Sequence, residues 1–152
     1  MILGQFWGGM KSLLNDRGSI ILSLPHAAHS AVLACLYNGD FEAREMGLLD
    51  KTHIRLFGFK NIEELYRSAG LAIVQIHLIF CRPEDTDLAH AWKALPANVK
   101  DALGQRNYGN VFQIVTEAVP IERADRVITI ESCLPQIPAS KQPARLMRWL
   151  QR

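Results

Sequence analysis

The sequence predicts an α/β domain, and three observations carry that prediction. Apolar runs at residues 19–24, 71–80 and 108–119 are short and bounded by glycine, proline or polar residues, as strands are. Between them, apolar residues recur at helical spacing and the stretches close on glycine or asparagine-glycine. The chain has 152 residues, 49% hydrophobic and 21% charged, which suits one folded domain with a sizeable core.

Taken in order, Phe6, Met10, Leu13 and Leu14 share one helical face, and Asn15-Asp16-Arg17-Gly18 supplies an exit. Ser19 to Leu24 reads as a strand covered on both faces and stopped by Pro25. Ala27 to Tyr37 reads as a helix with Val32, Leu33 and Leu36 on one side, closed by Asn38-Gly39. Residues 40–60 form a long irregular stretch, and such loops in small domains are commonly functional or disordered.

From Asn61 the periodicity sharpens. Asn61 is placed to cap a helix with Glu64 three positions on, Ile62, Leu65 and Ala69 share a face, and Gly70 ends the helix. Leu71 to Phe80 is a strand with one apolar face, Ala72, Val74, Ile76, Leu78 and Phe80, and a mixed face that includes Gln75 and His77. Asp85 to Leu95 is helical, Pro96 breaks it, and Ala97 to Leu103 resumes before Gly104. Tyr108 to Val119 is the last strand, ended by Pro120.

Composition also excludes. A net charge of +2 is too small and dispersed to predict nucleic-acid binding, and no apolar run approaches the ~20 residues of a membrane span. Met1 to Lys11 lacks the basic start and apolar centre of a secretory signal. Cys35, Cys81 and Cys133 form no CxxC pair, so reduced thiols and the cytoplasm are expected, with Cys35 and Cys81 buried. No GxSxG, Walker loop or paired-carboxylate pattern supports a hydrolase or kinase.

Two segments resemble a known family. Ser12 to Pro25, SLLNDRGSIILSLP, is similar to the step in class I S-adenosylmethionine-dependent methyltransferases where a helix ends in an "LLkPGG" turn and enters the fifth strand, finishing in "S-V-P-N". Here Asn15-Asp16-Arg17-Gly18 replaces the usual turn, and His26 stands where asparagine is common. More specific is Gly47 to Phe59, GLLDKTHIRLFGF, which resembles the "GLLDrTHlRFFT" segment of bacterial methyltransferases found beside sugar and polysaccharide genes. Residues 61–71 match the helix and "aGf" turn that follow it.

The resemblance covers roughly residues 6–120 and implies a partial Rossmann-like methyltransferase fold. Its expected sheet is three-stranded and mixed, in family order 5-7-6, with flanking helices and with residues 108–119 running antiparallel between 19–24 and 71–80. It implies methyl transfer from S-adenosylmethionine to oxygen or nitrogen of a small, sugar-like acceptor. The donor loop is not expected here, because Gly4, Gly8 and Gly9 follow no strand and their spacing misses the pattern. The chain therefore reads as starting near the end of the family's fourth strand, with no cofactor-binding residue of its own. The alternative is a non-enzymatic remnant that folds or self-associates without binding the donor.

Four residues are candidates for the acceptor side. His53 and Arg55 alternate within Thr52 to Phe57, so an extended backbone points both one way. The resemblance puts that segment near the active site, where His53 acts as general base and Asp50 and Arg55 bind substrate. Equally, Asp50, Thr52 and His53 hold the loop in shape and Arg55 pairs with a carboxylate. His26 either lines the acceptor pocket, as the resemblance implies, or serves the start of a helix. His26 and His29 lie three apart and would share a helix side, but no third ligand is evident, so no metal is expected.

Residues 121–152 lie outside the resemblance and divide from residues 1–120 as a proline-containing basic tail. It carries six Lys/Arg and three Asp/Glu, and Leu146, Trp149 and Leu150 give its end one apolar side opposite Arg145 and Arg148. That end reads as a short helix packed on the body or leading toward another domain, with a membrane-surface role as the alternative. Finally, an apolar strand at 20–24 without its fourth-strand neighbour leaves open backbone groups. Self-association there, or cover by residues 1–7, is expected.

Overall fold

The computed structural model describes Gly9, residues 11–53 and residues 55–136. Its elements are strand β1 (Ile20–Pro25), helix α1 (Ser30–Tyr37), helix α2 (Phe59–Ser68), strand β2 (Leu71–Phe80), helix α3 (Ala89–Ala94), helix α4 (Ala97–Gly104) and strand β3 (Val111–Pro120). Short 3-10 turns cover Pro83–Asp85, Ile121–Arg123 and Glu131–Cys133. The class is α/β.

The strands form one sheet in the order β1-β3-β2. Ile20 pairs with Ala118 and Leu24 with Ile114 along one ladder, while Leu71 pairs with Pro120 and Leu78 with Ile114 along the other. Both ladders are antiparallel, which corrects the expectation of a mixed sheet. The reason is that β1 and β2 never touch: the strand between them opposes both.

A bulge decides which side chains of β2 reach the core. Ile73 pairs with Ala118 and Gln75 with Glu117, so Val74 is an extra residue without a partner. The alternation slips there, and Leu71, Ile73, Ile76 and Leu78 come to pack in one cluster. The strict apolar face expected from Ala72 to Phe80 is thereby corrected, and Phe80 is half exposed. β1 departs similarly. Ile20, Leu22 and Leu24 face the core, but Ile21 is 70% exposed and Ser23 is exposed, so the strand is covered on one face only.

The main core joins these strand residues to Ile62, Leu65, Tyr66 and Ala69 of α2. Tyr66 is buried and its hydroxyl lies 2.6 Å from Thr116 Oγ1, a buried group on β3. Tyr66→Phe removes the shorter of the Thr116 hydroxyl's two hydrogen bonds, leaving its 3.4 Å donation to the Leu22 carbonyl, and a loss of about 1 kcal/mol is expected in urea unfolding. A second cluster gathers Ala31, Val32, Ala34 and Cys35 of α1 with Leu48, Leu49, Leu88, Ala91 and Leu95. It meets the sheet through Phe112.

Several boundaries move for local reasons. α1 begins at Ser30 rather than Ala27, because the His29 ring caps it by accepting from the Ala31 amide at 3.2 Å. Its buried side is Ala31, Val32, Ala34 and Cys35, whereas Leu36 is 51% exposed. α2 begins two residues before Asn61, with Gly58 as its cap residue, and Asn61 Oδ1 reaches back to accept from the Gly58 amide at 3.3 Å. Glu64 pairs with Arg67 instead.

The expected helix 85–95 splits, since Thr86 Oγ1 donates to the Pro83 carbonyl and accepts from the Leu88 amide, holding a turn before α3. Tyr108 to Asn110 form a turn into β3 rather than its first residues. Gly39 and Gly70 adopt positive φ, 73° and 68°, as helix-ending glycines do.

Residues 121–136 return across the body. The Ile128 amide donates to the Ile73 carbonyl at 2.9 Å, the Ile130 amide to Glu63 Oε1 at 2.7 Å, and the Ile130 side chain is fully buried in the main core. Of the expected first helix, Gly9, Lys11 and Ser12 are helical and the chain turns at Leu13, which is 84% exposed rather than part of a buried face, while Phe6 and Met10 lie outside the described residues. Cover of β1 by residues 1–7, and the apolar side of Leu146, Trp149 and Leu150, lie outside them altogether. No helix among the described residues is long and apolar enough to cross a membrane.

Candidate functional site

Where β1 ends, the chain is stitched to two neighbours at once. The His26 amide donates to the Phe112 carbonyl and the Ala27 amide to the Phe57 carbonyl, each at 3.0 Å. Phe57 therefore lies along the far edge of β1 beside His26, in a parallel bridge. This brings the end of the long loop, and the start of α2, against the carboxyl end of the first strand.

His26 occupies the junction and is 2% exposed. Its Nδ1 lies 3.1 Å from the Val111 carbonyl, and because a carbonyl only accepts, Nδ1 carries the proton. The ring stacks on Phe59 with centroids 4.3 Å apart and planes 7° from parallel, and the Tyr108 ring stands edge-on at 6.0 Å. Burial pushes the imidazole pKa down to about 4, against the opposing pull of the Val111 hydrogen bond, and the positive charges of His29 and Arg106 add to the fall. At neutral pH the ring is uncharged. Nε2 makes no hydrogen bond among the described residues, so its lone pair is the polar feature His26 offers.

A cavity of about 550 Å³ opens at this ring. Phe59, Tyr108 and Leu134 give it apolar walls, and Lys60, Asn61, Asn107 and Glu131 supply polar groups. Asn107 also donates from Nδ2 to the Pro135 carbonyl at 3.3 Å, tying the returning 121–136 segment to the mouth. Arg106 braces the floor: its Nη2 donates to the Ala28 carbonyl at 2.8 Å and its guanidinium lies 4.8 Å over the Tyr108 ring. Burial lowers its pKa.

His29 does something different. It is fully buried, Nε2 donates to the Cys81 carbonyl at 2.9 Å and Nδ1 accepts the Ala31 amide, so both nitrogens are engaged in structure. Burial lowers its pKa as well. The two histidines precede α1 rather than sharing one of its faces, which corrects the expectation for their placement. Among the described residues no cluster of three or more His, Cys, Asp or Glu could hold a metal.

The other candidates lie elsewhere. His53 and Asp50 share a separate cavity of about 270 Å³ with Lys51, Leu49 and Leu56. The Asp50 carboxylate accepts from the Thr52 amide and hydroxyl, both at 2.7 Å, and these bonds hold it below the usual carboxylate range. The His53 amide donates to the Asp50 carbonyl at 2.9 Å, while its side chain is exposed. Arg55 is exposed, makes no ion pair among the described residues and lines neither of these cavities. No family model and no curated protein matches the chain.

The structure thus divides the four sequence candidates between two cavities and the open surface. Three contributors to the His26 cavity, Phe59, Tyr108 and Glu131, were not among the sequence candidates. The aromatic pair looks like ordinary core, and Glu131 belongs to the tail set apart from the domain. One signal did exist: Phe57-Gly58-Phe59 ends the most specific matching segment, so its aromatics were available as site residues.

Proposed function

We propose that this chain supplies the acceptor side of a class I methyltransferase domain, with the His26 cavity as the pocket for a small acceptor. The observation that carries this reading is His26 itself: a buried, uncharged histidine at the carboxyl end of β1, facing a cavity large enough for a small molecule. The resemblance also implies that the end of this strand borders the acceptor pocket. The resemblance of Gly47 to Phe59 supports the same reading, because that segment ends at the cavity wall. His53 and Asp50, in their separate cavity, are the second candidates for accepting a proton and binding the acceptor, and Arg55 is a surface cation.

The described residues do not fit the methyl donor. β1 enters α1 through Pro25-His26-Ala27-Ala28-His29 without a glycine, and the His29 ring already occupies the first-turn amide of Ala31. An adenosine and sulfonium cradle has no counterpart there. What this chain contributes is binding and a lone pair at Nε2 of His26. Calorimetric titration with S-adenosylmethionine tests this: a dissociation constant weaker than about 1 mM is expected. Low-micromolar binding would contradict it.

A second reading, self-association without catalysis, has its own observation. Among the described residues, β1 is paired along one edge by β3, the bridge to Phe57 on its other edge comes just beyond its end at His26, and Ile21 presents an exposed apolar side chain. Concentration-dependent sedimentation toward a dimer supports it. A monomer at every concentration removes it. Cys35 is buried, whereas Cys81 is half-buried.

A further inference from the structure

We infer that the His26 cavity selects a ligand carrying an un-ionised hydroxyl on a compact ring, with the hydroxyl donating its proton to His26 Nε2. This rests on the cavity being the acceptor pocket and goes further by naming what the pocket recognises.

Recognition turns on which polar group the ligand meets in a desolvated place. Of the polar residues at the cavity, Lys60, Asn61 and Glu131 are exposed and Asn107 is half-buried, so water satisfies them with or without a ligand. His26 alone among them is buried. Its tautomer is fixed, since the Val111 carbonyl holds the proton on Nδ1. Nε2 is consequently an acceptor only. A ligand that covers it without offering a donor leaves a buried acceptor unsatisfied, and sites of that kind discriminate strongly against analogues lacking the donor.

The walls set the rest of the ligand. His26 and Phe59 form one stacked layer, Tyr108 stands edge-on to both, at 6.0 Å and 5.8 Å, and Leu134 adds an aliphatic contact. Flat or compact ring carbons suit such surfaces. The polar positions favour a hydroxyl over a carboxylate or phosphate. Lys60 and Glu131 place opposite charges at the cavity, so neither selects a charged ligand, and among the described residues the two amides leave opposite groups available: Asn107 donates from Nδ2 to Pro135 and keeps Oδ1, while Asn61 accepts at Oδ1 from Gly58 and keeps Nδ2. A hydroxyl answers both kinds, because it donates and accepts.

The test uses the wild-type chain, phenol as the probe and anisole as its match in shape without the donor. Binding is followed by chemical-shift titration, together with the ring nitrogen shifts of His26. Phenol is expected to bind at least about tenfold more tightly than anisole. Its addition should move the Nε2 resonance upfield while Nδ1 stays protonated, and anisole should leave Nε2 unmoved. Equal affinities with Nε2 unmoved by either probe would overturn hydroxyl recognition and leave the cavity as an acceptor pocket. Perturbations confined to Asp50 and His53, or absent with both probes, would overturn the pocket assignment as well. A His26→Phe variant that folds should bind both probes equally; the nitrogen shifts of the wild type decide the matter if it does not fold.

Discussion

Acidification from pH 7 to pH 4 is expected to remove about 3 kcal/mol of stability through His26 alone, which follows from a pKa falling from 6.5 in the unfolded chain to about 4 in the fold. The sign follows from the depressed value. Between pH 6.5 and 4 the unfolded chain binds the proton and the folded one does not, so stability is full above 6.5 and falls as pH drops through that window. His29, also lowered by burial, adds to the loss in the same direction. Asp40, Asp50 and Glu122 are held below their ordinary values by hydrogen bonds, so their contributions disappear at still lower pH. Urea unfolding at half-unit pH steps measures the slope. About one proton or more taken up on unfolding near pH 5 agrees with this account, and a flat profile from pH 7 to 4 contradicts it.

Ile130→Ala is expected to cost about 2–5 kcal/mol, as the loss of a buried isoleucine side chain usually does. Ile130 is fully buried among Ile62, Ile73 and their neighbours, and its amide is held by Glu63. A domain of this size has about 5–15 kcal/mol in total, so such a change shifts the unfolding midpoint strongly. The same segment carries Glu131 and Leu134 to the His26 cavity. Weakened ligand binding should therefore accompany the lost stability. A change within about 0.5 kcal/mol would mean that residues 121–136 are a peripheral strap rather than part of the core.

These two residues also show what could be read from the sequence. The three strands were legible because each is an apolar run cut off by proline or glycine, and β2 was located to the residue at Leu71–Phe80. The faces were less legible. Nothing in LAIVQIHLIF marks Val74 as the bulged residue, since the bulge arises from pairing with β3 and not from local propensity. His26 was legible as a candidate by its place after the first strand, but its burial and fixed tautomer come from Val111 and Phe59, which are distant in sequence. Ile130 was hidden for the same reason. In a proline-containing basic stretch it looks like linker, and only the return of the chain across α2 puts it in the core.

His53 and Asp50 illustrate the converse. Their clustering with Thr52 stood out in the sequence, and the structure uses Asp50 and Thr52 for a local turn, the side chain of one bonding the backbone two residues on. Short-range polar patterns of this kind are easy to see and are shared by loops with and without chemistry. The aromatic walls at Phe59 and Tyr108 are the opposite case, since their role appears only once three separate segments converge.

The most direct measurement of the central claim joins the donor-binding strands of a complete class I methyltransferase to residues 19–136 of this chain, and follows S-adenosylmethionine binding by calorimetry on the folded chimera. Micromolar binding is expected, with His26→Ala lowering methyl transfer by about 10²-fold or more while donor affinity stays unchanged. A chimera that is folded by its amide spectrum yet binds no donor, or one whose transfer rate is indifferent to His26, would contradict the assignment of the acceptor side to this chain.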